Sequence, residues 1–290
     1  MDTVALMRIL LTGATGYIGS AVLDALTGAG HDVIAVVRTT QAASKVVSRG
    51  ATALEGDVTD VAWFASALEG VDAAIHTAVP ESDAPAFNEA VIEAAIRAFA
   101  DGRRFVLTSG VWEYGAGSDL RDDAVDAPPL VAWRVPQEER LLASGVDATI
   151  VAPGVVYGHG RGLVSLITDG PRTAGGALTL IGDGEQHWTW VHVDDVARLY
   201  LLAVEHPTAL GRVIGSDGNP TSVRAIAESV AGPAGVVAES VDASRARLGA
   251  AFADALLLDE RAYGEKARAL GWEPEHTSVL DEVRTARAAA

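Results

Sequence analysis

The sequence contains no cysteine, which excludes disulfides and thiolate chemistry. Basic residues are also scarce: 22 Lys and Arg stand against 39 Asp and Glu, for a net charge of -17. Only two of the basic residues are lysines, Lys45 and Lys266. A nucleic-acid partner needs a basic stripe, and the chain has none. No apolar run reaches the roughly 18 residues needed to span a membrane. The start, "MDTVALMRILLTGATG", has an acid at position 2 and no small-residue cleavage site, so it reads as a first strand rather than a signal peptide. A soluble, cytoplasmic protein with no membrane partner is the expectation. With 290 residues, 49% of them hydrophobic, the chain is long enough to bury a large core.

What is present is an alternation. "ALMRILLTGA", "HDVIAVVR", "ATALEGDVTDV", "VDAAIHTAV" and "RRFVLTSG" contain short apolar strands, separated by Ala-rich helical stretches such as "SAVLDALTGAG" and "AFNEAVIEAAIRAFADG". Strands and helices joined by short turns argue for a parallel sheet covered on both faces. The fold class is therefore α/β, a Rossmann-type doubly wound sheet with a small C-terminal substrate-binding lobe. The core is expected over 1–157, completed by about 189–215, and the lobe over 158–188 and 216–290. Within this scheme 111–130 reads as a loop, "DATIVAPGVVYG" as one further strand of the sheet, and 240–270 as helical.

The first turn, "TGATGYIG", carries Gly13, Gly16 and Gly19 between an apolar strand and an amphipathic helix. That context points to dinucleotide binding. Gly13 permits the tight turn, Gly16 lets the backbone approach a pyrophosphate, and Gly19 lets the helix pack closely on the sheet. Thr15, Tyr17 and Ile18 complete the phosphate loop. At the end of the second strand an acid would bind both ribose hydroxyls and repel a 2′-phosphate. Here stands Arg38, with Thr39, Thr40 and Lys45 nearby. A forked cation suits phosphate, so NADP(H) is favoured, with NAD(H) as the alternative. Asp57 and Val58 in "GDVTD" fall where the adenine edge lies, and Asp60 reads as a helix cap. The small residues Thr77, Ala78 and Val79 let the dinucleotide lie close, and His76 reads as a packing residue.

These pieces, with "FVLTSG", "PGVVYG", "GDGEQHWTWVHVDDVA" and "GWEP" in order, resemble the extended and atypical branch of the short-chain dehydrogenase/reductase superfamily over nearly the whole chain. The resemblance implies a nicotinamide cofactor on the glycine loop, with Pro153, Val155 and Val156 beside the nicotinamide. It also implies a proton relay of Ser or Thr with Tyr-x-x-x-Lys. Ser109 matches the serine, but the Tyr and Lys places carry Trp133 and Gln137.

That replacement matters because hydride transfer to a carbonyl builds negative charge on oxygen, which needs a donor and then a proton. An indole N–H donates but does not usefully give up its proton, and Gln137 can bond a ribose hydroxyl without bringing charge. Tyr114 in "SGVWEYG" is the first candidate acid. His187 is the second, since imidazole exchanges protons near neutral pH. Trp112, Tyr157 and Trp188 are expected to line the substrate pocket, and Arg134 to reach an anionic substrate. His192, Asp194 and Asp195 read as a strand-to-helix junction with a capping acid, so no metal is expected.

Three functions fit this reading. The first is NADPH-dependent reduction of a small carbonyl substrate with a non-standard proton donor. The second is a non-catalytic NADP(H)-binding regulator or scaffold. The third is a nucleotide-sugar epimerase or dehydratase, for which the segment 160–190 supplies only Arg161 and Arg172 as a diphosphate clamp. The helix "AFNEAVIEAAIRAF" and the one near 134–144 suggest a homodimer seam.

Overall fold

A computed structural model describes residues 5–80 and 82–288. In chain order, β1 (Arg8–Thr12), α1 (Tyr17–Gly28), β2 (Asp32–Val37), α2 (Thr40–Val47), β3 (Thr52–Glu55), α3 (Val61–Glu69), β4 (Ala73–His76), α4 (Ala84–Ala98) and β5 (Arg104–Thr108) alternate as expected. After a 3₁₀ turn at Val111–Tyr114 come β6 (Gly117–Leu120), α5 (Arg134–Leu142), β7 (Asp147–Pro153), β8 (Val155–Gly158), β9 (Arg161–Gly162), α6 (Ser165–Thr168), β10 (Leu178–Thr179), β11 (His187–Trp188) and β12 (Trp190–His192). The chain continues through α7 (Val193–Glu205), β13 (Gly211–Gly215), β14 (Thr221–Ser222), α8 (Val223–Ala231), β15 (Val236–Val237), α9 (Val241–Leu248), α10 (Ala250–Leu256), β16 (Glu260–Ala262), α11 (Glu265–Ala269) and α12 (Val279–Ala288).

The chain divides into two compact units. The first comprises Met1–Ser109, Trp133–Val151 and Val196–Val213. A seven-stranded sheet of order β13-β7-β5-β4-β1-β2-β3 is built mainly from it. The pairs from β3 through β2, β1, β4 and β5 to β7 are all parallel. Strand order reverses between β1 and β4, which in doubly wound sheets opens a crevice at the carboxyl ends. Helices are placed by side chains that relieve their first-turn amides. Asp60 accepts from the N–H groups of Ala62 and Trp63 ahead of α3, and Asp83 from Ala86 ahead of α4, where Pro85 occupies the first turn. Leu10, Phe64, Val91, Ile92, Phe105 and Ile150, all fully buried, are central to the core of this unit.

The second unit comprises Gly110–Ala132, Ala152–Asp195 and Ile214–Ala290. Its largest cluster gathers Tyr157, Leu178, Trp188, Trp190, Ile226 and Leu256. The expected boundaries are therefore corrected: 110–132, 152–157 and 189–195 belong here, not to the core. The reason is pairing. "DATIVAPGVVYG" is not one strand of the large sheet, because only β7 joins it, while β8 runs parallel to β12 and antiparallel to β9. The expected loop 111–130 holds the 3₁₀ turn and β6, and β6 pairs with β16 inside the stretch expected to be helical.

Candidate functional site

At the carboxyl end of the first unit's sheet lies a groove of about 1090 Å³. Every residue expected to hold the cofactor lines it except Pro153, Val155 and Val156. Those three belong to the second unit, where Val155 and Val156 pair with Trp190 and Val191.

The glycines of the loop differ in what a side chain would meet. Gly13 has φ of 75°, and a Cβ there would lie 2.6 Å from the Ala78 nitrogen. A Cβ on Gly19 would come within 2.1 Å of the Gly13 carbonyl oxygen. Gly16 is open by comparison, its Cβ meeting only the Gly13 oxygen at 3.1 Å. Two glycines thus seal the turn against β4 and α1, while the third leaves its backbone bare. Gly16 is the N-cap of α1 and offers no side-chain bond to the first-turn amides, which is the geometry that receives an anion at a helix N-terminus. The residues present therefore fit a dinucleotide diphosphate.

Further along the groove, Arg38, Thr39 and Lys45 line its wall beside Asp57. Asp57 Oδ1 accepts from the Thr59 N–H (2.9 Å) and hydroxyl (2.7 Å). These bonds, with the Arg38 charge, hold its carboxyl below the usual carboxylate range. Val58 is buried. Behind the groove His76 is a packing residue as expected. Its Nδ1 lies 2.7 Å from the Thr12 hydroxyl, and burial followed by the Arg134 charge lowers its pKa to about 3.

The place of the Tyr-x-x-x-Lys pair is filled differently. Trp133 precedes α5, and the Arg134 guanidinium lies over its ring at 4.6 Å from the centroid. Arg134 also donates to the Thr108 carbonyl at 3.4 Å. Gln137 does not present a free amide: its oxygen accepts from Asn88 (2.8 Å) and its nitrogen donates to the Pro85 carbonyl (3.0 Å). It ties α5 to α4. Ser109 closes β5, its N–H bonded to Val151 at 2.8 Å.

Three expectations for the second unit are corrected. Tyr114 is only 1% exposed, its ring packed among Val111, Ala152, Ile214 and Ala262, with its hydroxyl donating to the Asp122 carbonyl at 3.4 Å. That is a packing place, not a place at a reacting carbonyl. Tyr157 is fully buried and donates to the His276 carbonyl (3.2 Å) and Asp217 (3.4 Å), and Trp188 is fully buried and donates to the Leu256 carbonyl (2.9 Å). Trp112 is half-buried against Phe252, and its indole N–H has no partner. His187 is half-buried, and its Nδ1 lies 3.0 Å from Asp259 Oδ1, which also accepts the His187 N–H at 2.8 Å. This carboxylate fixes the orientation of the ring.

The junction acids also part company. Asp195 lies in the first turn of α7. It is fully buried and accepts from the N–H groups of Glu275 (3.2 Å) and His276 (2.8 Å), anchoring the segment before α12. Asp194 lies beside His159 and His192, with one donor atom of each within 4.8 Å of the others. Sequence reading missed His159, because nothing in "YGHGRG" announces that its imidazole turns toward a residue 35 positions on.

Fold, groove and glycine loop together define a nicotinamide-dinucleotide enzyme. Residues 9–215 match the NAD dependent epimerase/dehydratase family, and the chain belongs to that family. Membership makes it an NAD(P)-dependent enzyme of oxidoreductase type. An uncharacterised protein of Schizosaccharomyces pombe is 27% identical over 293 residues, covering 96% of this chain and 98% of its own. A UDP-glucose 4-epimerase of Thermotoga maritima, solved with UDP-glucose, superposes with a TM-score of 0.72 at 22% identity, covering 98% of this chain and 100% of the epimerase. A human epimerase family protein solved with NADPH superposes with a TM-score of 0.68 at 19% identity, covering 96% and 98%. Among the described residues no helix is long and apolar enough to cross a membrane.

Proposed function

We propose that the protein is an NADP(H)-dependent reductase of a small carbonyl compound. The observation that carries this reading is the pairing of Arg38 and Lys45 on one groove with a relay place that holds no titratable Tyr or Lys. The two cations give a 2′-phosphate local partners in an otherwise acidic chain. Bound there, the cofactor supplies the hydride. Gly13, Gly16 and the start of α1 hold its diphosphate, and Thr77 and Ala78 let it lie close to β4. Trp133 with Arg134 offers donors to the oxygen that gains charge. Solvent supplies the proton, since the Tyr114 hydroxyl is buried.

A second reading is supported by the family match and by the likeness to a UDP-glucose 4-epimerase: epimerisation or dehydration of a nucleotide sugar. That chemistry asks one base to remove and return a proton, and Gln137, bonded to Asn88 and Pro85, is no such base. The test runs NADPH and NADH absorbance against an aldehyde and ketone panel, beside UDP-sugar incubations analysed for product. NADPH consumption by a carbonyl is the expected result. Conversion of a UDP-sugar with no net NADPH consumption would establish the second reading instead.

A further inference from the structure

His159, His192 and Asp194 come from the turn after β8, the end of β12 and the first turn of α7. His159 Nε2 lies 3.1 and 3.0 Å from the two carboxylate oxygens of Asp194. His192 Nδ1 lies 3.7 Å from Asp194 Oδ2. A tetrahedral zinc-class ion with bonds of about 2.0–2.1 Å holds its ligand atoms roughly 3.3 Å apart. The His159–Asp194 and His192–Asp194 separations straddle that value, and all three ligand atoms lie within 4.8 Å of one another.

In the neutral His192 ring the proton sits on Nε2, and Nδ1 accepts the Asp194 N–H at 3.2 Å, a bond that a cation on Nδ1 would displace. The ring is held from both sides. It stacks on His276 with centroids 3.8 Å apart and planes 17° apart, and Gly158 leaves so little room that a Cβ there would lie 2.3 Å from His192 Nε2. His159 adopts φ of 53°, unusual for a residue with a side chain, and its N–H donates to Glu282 Oε1 at 3.1 Å. Its imidazole is 62% exposed and the Asp194 carboxylate 41%, so an ion has a path from solvent. The neighbouring group of His192, Asp195 and His276 is less suited, because Asp195 already spends its oxygens on two backbone amides.

We propose that His159, His192 and Asp194 form a binding site for a zinc-class divalent cation, with a fourth position for water, which clips the turn after β8 to the start of α7. Two imidazoles and one carboxylate favour borderline ions such as zinc over magnesium or calcium, which take oxygen ligands.

The test is calorimetric titration of tag-free, chelator-treated full-length protein with zinc chloride and, separately, magnesium chloride. One equivalent of zinc should bind, and no magnesium. His159→Gly should weaken zinc at least tenfold without unfolding the chain, since glycine accepts the left-handed backbone at this position. Asp194→Asn, which keeps the side chain's shape, should weaken zinc as well. His206→Ala, at an exposed histidine elsewhere, should leave it unchanged. Failure of the intact protein to bind zinc, or zinc binding as tight in His159→Gly as in the parent, overturns the site. So does a loss in His206→Ala equal to that in His159→Gly. In each case His159 and Asp194 are left as a plain surface ion pair.

Discussion

A 2′-phosphate brings almost two negative charges to a chain whose net charge is already -17, so single cations decide whether it stays. Arg38 is exposed on the groove wall, and Arg38→Ala should weaken NADPH at least tenfold while NADH changes less than about twofold. Fluorescence titration with both nucleotides checks this, and equal losses would remove Arg38 from the choice. Tyr114→Phe should leave turnover on the best carbonyl substrate within about twofold, because its hydroxyl is occupied by a backbone carbonyl inside an apolar cluster. A tenfold fall, followed by NADPH absorbance, would return Tyr114 to the proton path. The identities at Arg38, Trp133 and Gln137 were legible in sequence because they sit at fixed distances from a strand end or a motif. The burial of Tyr114, Tyr157 and Trp188 was not, since an aromatic residue reads the same whether it lines a pocket or fills a core.

Elements carry the cofactor loop's constraint. Close packing of α1 on β1 and β4 depends on the missing side chain at Gly19, where a methyl would sit 2.1 Å from a carbonyl oxygen. The Thr77 hydroxyl, at 2.5 Å, can turn away, but the Gly13 carbonyl is backbone and must move. Gly19→Ala should therefore destabilise the protein by about 2 kcal/mol or more and weaken both nicotinamide nucleotides together. Urea melts with paired cofactor titrations check this, and a melt unchanged from the parent would show that α1 shifts without cost. The pairing of α4 with α5 is cross-linked by charge: Arg140 bridges Glu89 and Glu93, both at 2.9 Å, and Arg97 bonds Glu93 at 2.6 Å. Exposed ion pairs of this kind contribute little to stability. The heptad-like run of Ala, Val and Ile in α4 was legible as a buried face. Its opposite face was not, because the glutamates that look solvated in sequence are cross-linked to α5.

At the scale of the molecule, the alternation of strands and helices announced the doubly wound sheet, while the second unit stayed obscure. Its strands are two to four residues long, and apart from the β8–β9 pair their partners lie far away in sequence, as with Glu260 beside Gly117. Nor did composition reveal that this unit buries acids. Asp217 is 3% exposed, accepts from the Asn219 N–H (2.8 Å) and the Tyr157 hydroxyl (3.4 Å), and burial pushes its pKa up to about 7. Arg268 opposes that rise and Asp195 adds to it. Glu260 is fully buried with neither carboxylate oxygen partnered, and burial raises its pKa well above the ordinary value. An unfolded Asp titrates near 3.9, so between about pH 4 and 7 the folded chain holds a proton at Asp217 that the unfolded chain has released. Stability then falls as pH rises through that window. The contribution is fully present below pH 4 and lost above pH 7. Asp217→Asn imitates the protonated acid and should flatten this limb, gaining roughly 2–4 kcal/mol over the parent at pH 8 and almost nothing at pH 4. Urea melts at pH 4, 6 and 8 measure both slopes. If the variant and parent lose stability in parallel, Asp217 is ionised in the folded chain throughout, and the pH response belongs to Glu260, where Glu260→Gln would then remove it.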